Sequence, residues 1–198
     1  MRLLILIFVV SLLIYGIWFM YTSHNSPLKS NPIQSCVSAC GLPSSLDFSG
    51  RTFPIQKTDA DWRKQLGDIA FQVTRKHGTE PPFQNPYYNL KDMGLYACVC
   101  CEAPLFSSED KFDSGTGWPS FTQPIDQRII DEQVDTSFSM QRVEVHCTIC
   151  GAHLGHVFTD GPEPHKLRYC INSASLDFKA TATHEQLSDA ILEWYQEH

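Results

Sequence analysis

The chain has 198 residues, 42% of them hydrophobic, enough for one well-buried domain with extensions but not for several. Its formal net charge of -7 comes with Lys and Arg scattered rather than clustered, so it lacks a footprint for phosphate backbones and nucleic acid is not expected as a partner. Eight cysteines fall into four groups: Cys36 with Cys40, Cys98 with Cys100 and Cys101, Cys147 with Cys150, and Cys170 alone.

From Leu3 to Tyr21 only Ser11 interrupts an apolar run. At about 1.5 Å per residue, a helix of that length nearly matches a hydrocarbon core of roughly 30 Å. Residues 1–21 are therefore expected to form a transmembrane helix. A cleaved signal peptide is the competing reading, but no small-x-small site follows Tyr21. The lipoprotein-like run VSAC, ending at Cys40, lies far beyond the apolar stretch. Arg2 before the run and Lys29 after it lean towards a folded domain on the non-cytoplasmic side, whether periplasmic, extracellular or lumenal. Residues 22–47, rich in Ser, Pro and Asn, are expected to be a flexible tether carrying Cys36 and Cys40.

The folded domain is expected over 48–180. Asp61, Trp62, Leu66, Ile69, Ala70 and Val73 recur at helical spacing, with Gly78 as a stop, which predicts one or two short helices over 59–77. Beyond Gly78 the pattern changes to short runs such as LYACV, SFSMQRVEV and HVFTD, broken by Gly, Pro and Asp, which predicts small antiparallel sheets. Over 181–198, Thr183 and Gln186 can box the start of a last helix whose Leu187, Ile191 and Trp194 share a face.

Cys98 and Cys101 form one C-x-x-C and Cys147 and Cys150 another, the spacing two tight turns need to set four thiolates around one Zn2+. Four protein ligands leave no open position, so such a metal is structural. Two disulfides, or redox-active pairs, are the competing reading. Gly151 suits the second turn, whereas Glu102 stands where the first turn wants glycine, which predicts a distorted first knuckle.

RYCINSASLDF, from Arg168 to Phe178, reads as a strand with Arg168, Cys170 and Asn172 on one face, so that a cation and an amide flank a thiol. Those neighbours suit a nucleophilic cysteine, although a lone strand cysteine is also a common packing residue. In GAHLGHVFTDG, His153 and His156, separated by a small glycine-containing turn, are candidate acid and base groups. Trp118, in the constrained loop SGTGWPSF, can wall a pocket for an apolar methyl group or serve as core.

GTEPPF, CVCCEAPLF, FDSGTGWPSF, CTICGAHLGHVFTDGP and LRYCINSASLDF occur in the order seen in methionine-R-sulfoxide reductases of the B type, and the resemblance spans roughly residues 60–178. It implies an all-β, tent-like pair of antiparallel sheets, zinc-ribbon-like, with short flanking helices and a zinc opposite the active site. It implies Cys170 as the catalytic cysteine, with His153, His156 and Asn172 around it and Trp118 against the substrate methyl. Asp160 and Arg168 match supporting positions. The implied activity is reduction of methionine-R-sulfoxide in peptides and proteins through a sulfenic acid on Cys170, which a thioredoxin-like or other thiol then reduces. Many members carry a resolving cysteine in the G-x-G-W-P-S-F loop, where this chain has Thr116. Cys36 and Cys40 on the tether, or Cys100, are the candidates in its stead; direct reduction by a thioredoxin-like partner or a small thiol, with no resolving residue in this chain, is a third route. The rival reading is a non-catalytic zinc-ribbon module that uses the same pocket for binding; a thiol-disulfide oxidoreductase built on one C-x-x-C is a third.

Overall fold

The structure, a computed structural model, describes residues 51–135 and 142–197. The expected membrane helix of 1–21, and the tether with Cys36 and Cys40, lie outside the described residues. Among the described residues no helix is long and apolar enough to cross a membrane.

Helix α1 (Asp59–Lys76) begins where Thr58 turns extended and its hydroxyl accepts from the Asp61 amide at 3.2 Å. Asp59 and Asp61 in the first turn and Arg75 and Lys76 in the last both complement the helix dipole. Gly67, at φ 74° and ψ 177°, splits α1 into two short helices, which matches the sequence expectation. The helix stops one residue before the expected Gly78: His77 takes the left-handed conformation, and the Gly78 amide donates to the Gln72 carbonyl at 3.0 Å.

Among the described residues nine strands follow: β1 (Gly94–Cys98), β2 (Pro104–Ser107), β3 (Lys111–Phe112), β4 (Ser120–Phe121), β5 (Ile130–Asp135), β6 (Arg142–Cys147), β7 (His153–Phe158), β8 (Arg168–Ile171) and β9 (Leu176–Ala180). They make a three-stranded sheet, β2-β1-β9, and a six-stranded sheet, β3-β4-β8-β7-β6-β5. Every pairing is antiparallel. The chain thus has the expected all-β core of two antiparallel sheets with few helices.

Aromatic rings fill the core. Phe106 stacks on Phe121 at 4.5 Å, Tyr96 meets Phe121 edge-on at 5.0 Å, and Tyr96 lies 4.8 Å from Phe178. These residues come from β2, β4, β1 and β9, so the rings join the small sheet to the large one. Helix α2 (His184–Glu197) packs on β1 through buried Leu187 and half-buried Trp194. Its start is boxed as expected: Thr183 Oγ1 accepts from the Gln186 amide at 3.2 Å, and the Gln186 side chain accepts from the Ala182 amide at 2.8 Å.

The stretch 168–178 is not one strand. β8 ends at Ile171, residues Ser173–Ser175 form a 3-10 turn, and β9 joins the other sheet. The Ser175 hydroxyl donates to the Asn172 carbonyl at 2.7 Å, so local side-chain bonding replaces a ladder that Ser-Ala-Ser would support poorly. Asn172 therefore sits just past the strand end, and not in register with Arg168 and Cys170.

Candidate functional site

The two cysteine knuckles are built alike. In the first, the Glu102 amide donates to the Cys98 carbonyl at 2.8 Å and Cys98 N–H to Ala103 at 2.8 Å; in the second, Gly151 donates to Cys147 and Cys147 to Ala152, both at 2.9 Å. Glu102 takes φ 63° and Gly151 φ 68°, so the expected distortion of the first knuckle is absent. Glutamate adopts the glycine conformation, at a local cost of roughly 1–2 kcal/mol. The knuckles end β1 and β6 and so join the two sheets. The four thiols lie within 4.8 Å of one another, Cys98 Sγ 3.7 Å from Cys150 Sγ and Cys101 Sγ 3.6 Å from Cys147 Sγ. Zinc–sulfur bonds of about 2.3 Å in a tetrahedron put sulfurs roughly 3.8 Å apart, so the cluster fits a metal ion. The described cysteines are all free thiols, and the close contacts run between knuckles rather than within them. Cys100, 4% exposed, adjoins the Cys98 and Cys150 thiols of this cluster.

Cys170 occupies a different region. On β8 it pairs with Ser120 of β4 on one side and His156 of β7 on the other. The Gly155 position allows this approach, because a Cβ there would stand 2.1 Å from the Cys170 carbonyl oxygen. Cys170 is half-buried in a cleft of about 410 Å³, open to solvent, whose walls include Trp118, Arg142, His156, Phe158 and Asn172. Thr116 Oγ1 lies 3.8 Å from Cys170 Sγ, and its hydroxyl continues through Ser114 (2.8 Å) to Ser120 (2.7 Å). Burial pushes the Cys170 thiol above its ordinary value; the Thr116 hydroxyl, the Arg168 charge and Ser120 oppose it. Arg168 is clamped by Asp160 through two bonds of 2.8 Å, and its guanidinium lies 4.3 Å from the Phe158 ring centroid. The Arg168 contact holds the Asp160 carboxyl below its usual range.

Trp118 is half-buried with its indole N–H donating to the Glu80 carbonyl at 3.0 Å, so one face of the ring is left for the cleft. Glu80, buried, is a hub the sequence reading did not find. Its carboxylate accepts from the Ser173 amide in a short bond and from the Ala174 amide at 2.9 Å, while its own amide donates to Asn172 Oδ1 at 3.2 Å. Burial raises the Glu80 carboxyl, against the pull of those amides. Asn172 Nδ2 donates to the Leu154 carbonyl at 3.0 Å, so both ends of that amide are used in tying β7 to residues 80–85. Asn85 adds a link, donating to the Gly117 carbonyl at 2.8 Å and accepting from Ser173 Oγ at 2.6 Å. Glu80 stands inside the quoted GTEPPF run, but nothing local distinguishes it from a surface glutamate; Asn85 carries no signal at all.

His153 and His156 are not separated by a turn. Both lie on β7, where residues three apart should face opposite sides. A bulge corrects this: Val145 pairs with Gly155 and His146 with His153, leaving Leu154 as the extra residue. The rings of His153 and His156 consequently sit 5.6 Å apart. His156 lines the cleft, whereas His153, 1% exposed, stands behind it. Its Nδ1 lies 2.5 Å from Glu144 Oε1, which His77 Nδ1 (2.7 Å) and His146 Nε2 (3.2 Å) also approach. Burial lowers the His153 pKa and Glu144 opposes it, while the three imidazoles outweigh burial at Glu144 and hold that carboxyl far below its usual range. Neither Glu144 nor Arg142 was singled out from sequence; they sit in the alternating run RVEV, which reads as an ordinary half-buried strand.

The SelR domain model matches residues 66–180, which contain every residue lining the cleft. The chain is 56% identical over 124 residues to a peptide methionine sulfoxide reductase MsrB of Hahella chejuensis, covering 63% of this chain and 89% of the relative. A protein of the same name from Thioalkalivibrio sulfidiphilus is 58% identical over 127 residues, 64% of this chain and 93% of that one. A third, from Herminiimonas arsenicoxydans, is 52% identical over 130 residues, with 66% and 95% covered.

Proposed function

The chain belongs to the SelR-domain family and is a peptide-methionine (R)-S-oxide reductase, and from that premise we propose that Cys170 carries the reaction in the cleft between Trp118 and His156. The observation that carries the reading is the placement of one half-buried thiol between Ser120 and His156, in the cleft that Trp118 also lines and within reach of a guanidinium. The substrate sulfoxide would lie with its methyl group against Trp118. The Cys170 thiolate attacks the sulfoxide sulfur, and His156, with His153 behind it, supplies the proton to the departing oxygen. Oxygen passes from the methionine sulfur to Cys170, methionine leaves, and Cys170 is left as a sulfenic acid. One thiol condenses with it, releasing water and forming a disulfide; a second thiol reduces that disulfide and frees Cys170. Asn172 and Glu80 are positioning residues, since their polar atoms hold the cleft walls together.

Thr116 has no thiol to offer, and Cys100 is buried against the four-thiol cluster, so the tether pair Cys36 and Cys40 is the proposed relay from a thioredoxin-like donor. Loss of thioredoxin-driven turnover in Cys36→Ser and Cys40→Ser, with dithiothreitol-driven turnover intact, tests this; unchanged thioredoxin kinetics would remove the relay. The Cys98, Cys101, Cys147 and Cys150 set is proposed to hold Zn2+, which when bound supplies cross-linking of the two sheets and no chemistry. The apolar run of residues 3–21 further motivates a membrane-held domain on the non-cytoplasmic side. Cysteine labelling that reaches the domain only from the cytoplasm would reverse that topology.

The deciding experiment compares turnover of a methionine-R-sulfoxide peptide by the full chain and by Cys170→Ser, with dithiothreitol as reductant. Wild-type activity that disappears in the variant is expected. A folded wild type without turnover would favour a binding module, and an active Cys170→Ser would relocate the nucleophile.

A further inference from the structure

Behind the cleft, three imidazoles from separate parts of the chain surround one carboxylate oxygen. His77 comes from the left-handed residue that ends α1, Glu144 and His146 from one face of β6, and His153 from the bulged start of β7. The ring centroids form a nearly equilateral triangle, His77 to His146 5.6 Å, His77 to His153 5.7 Å and His146 to His153 5.9 Å. One ligand atom from each of the four residues falls within 4.8 Å of the others.

Hydrogen bonding alone accounts poorly for this arrangement. A carboxylate oxygen offers about two lone-pair directions, yet three ring nitrogens converge on Glu144 Oε1, at 2.5, 2.7 and 3.2 Å. The surplus falls on the most buried ring: neither nitrogen of His153 makes a hydrogen bond of sound geometry, although Nδ1 is in contact with the carboxylate. Leaving an imidazole unsatisfied at 1% exposure costs on the order of 1–3 kcal/mol. A cation at the centre of the triangle accepts all three nitrogen lone pairs and the carboxylate charge together. His77 is exposed, which opens the cluster to solvent from one side.

We propose that His77, Glu144, His146 and His153 form a second metal site, separate from the four-thiol cluster, that takes a first-row divalent cation such as Zn2+. Imidazole and carboxylate donors suit borderline ions of this row, and the absence of thiolate makes the site chemically distinct from its neighbour at Cys147. The proposal does not depend on which cysteine reduces the sulfoxide, because it concerns metal binding alone.

The test titrates the full chain, purified with its thiol site filled by zinc, with Co2+. One equivalent of Co2+ is expected to bind with weak visible d–d absorption and without thiolate-to-cobalt charge-transfer bands in the near ultraviolet. His77→Ala and His146→Ala should each weaken that binding by at least about tenfold, while the tightly bound zinc stays at one equivalent. Absence of Co2+ binding to the wild type overturns the proposal. So does binding that brings charge-transfer bands, which places the ion on cysteine, and so does binding unchanged in both variants. Should either variant fail to fold, the wild-type stoichiometry and spectrum decide without it.

Discussion

The thiol cluster and the Cys170 cleft share the β6–β7 hairpin but are assembled in opposite ways. Each half of the thiol cluster is a single turn, closed by the same two backbone bonds, and only the pairing of the two turns is long-range. The cleft is the reverse. Its thiol, its wall and its supports come from β8, the loop before β4, β7 and residues 79–85, and the bonds that join them cross up to 94 residues of sequence. One region is a repeated local motif clipped together, and the other exists only in the finished fold. The first should therefore fail as a whole when one member is lost, while the second should degrade by degrees.

The largest expected effect breaks the thiol cluster. Structural zinc sites contribute on the order of 10 kcal/mol, comparable with the roughly 5–15 kcal/mol that stabilises a whole domain. Cys147→Ser is expected to abolish the cooperative thermal transition seen by circular dichroism, and a strong chelator acting on wild type should do the same. A variant that loses its metal yet keeps its Tm would show that the aromatic core alone carries the fold.

A smaller effect is expected from Glu80. Its carboxylate accepts from two backbone amides, and charged hydrogen bonds contribute about 1.5–3 kcal/mol each. Glu80→Ala should destabilise by roughly 3 kcal/mol in urea unfolding while retaining the thiol-site metal, and kcat should fall because the backbone of residue 80, which bonds Trp118 and Asn172, loses its tie to the Ser173 and Ala174 amides. Glu80→Gln should fall between. Unaltered kinetics in a destabilised Glu80→Ala would confine the residue to folding.

This contrast explains what the sequence discloses. Cys98, Cys101, Cys147 and Cys150 are legible because metal ligands three residues apart declare a turn, and Cys170 is legible because its neighbours Arg168 and His156 lie in recognisable runs. Glu80, Asn85 and Glu144 look like surface residues until tertiary contacts bury them. The positions of His153 and Asn172 depend on a bulge and on a strand that stops early; both are decided by the neighbouring strand or by serine hydroxyls, beyond the reach of a period-of-two argument. Glu102 misleads for a different reason, since residue type predicts the cost of a left-handed conformation but not whether the fold imposes it.

The two regions should also part in their response to pH. Burial raises the Cys170 thiol, so its reactive anion is a minor species near neutrality and grows about tenfold per unit until the pH passes a value above the free-cysteine pKa of about 8.5. Alkylation of Cys170 by iodoacetamide, followed by mass spectrometry, is expected to accelerate along that slope, while the four buried thiols of the cluster stay protected throughout. A Cys170 rate that levels off below pH 7 would mean that Arg168 and Thr116 outweigh burial.

The smallest effect sharpens the comparison within the thiol cluster itself. The two knuckles differ at one position, Glu102 against Gly151, with nearly equal φ of 63° and 68°. Glycine relieves the left-handed strain at 102 but loses more chain entropy on folding, and it removes a 3.1 Å contact to Lys179 that both side chains share with solvent. Strain is the larger of these terms, because an exposed pair contributes little and the left-handed cost is roughly 1–2 kcal/mol. Glu102→Gly should therefore stabilise the domain by about 0.5–1 kcal/mol in urea unfolding, with metal content unchanged. Glu102→Gln, which keeps the strain and removes only the charge, should leave stability where it is. If the two variants behave alike, the Lys179 contact rather than the backbone sets the energy of this turn, and the likeness of the two knuckles is one of shape alone.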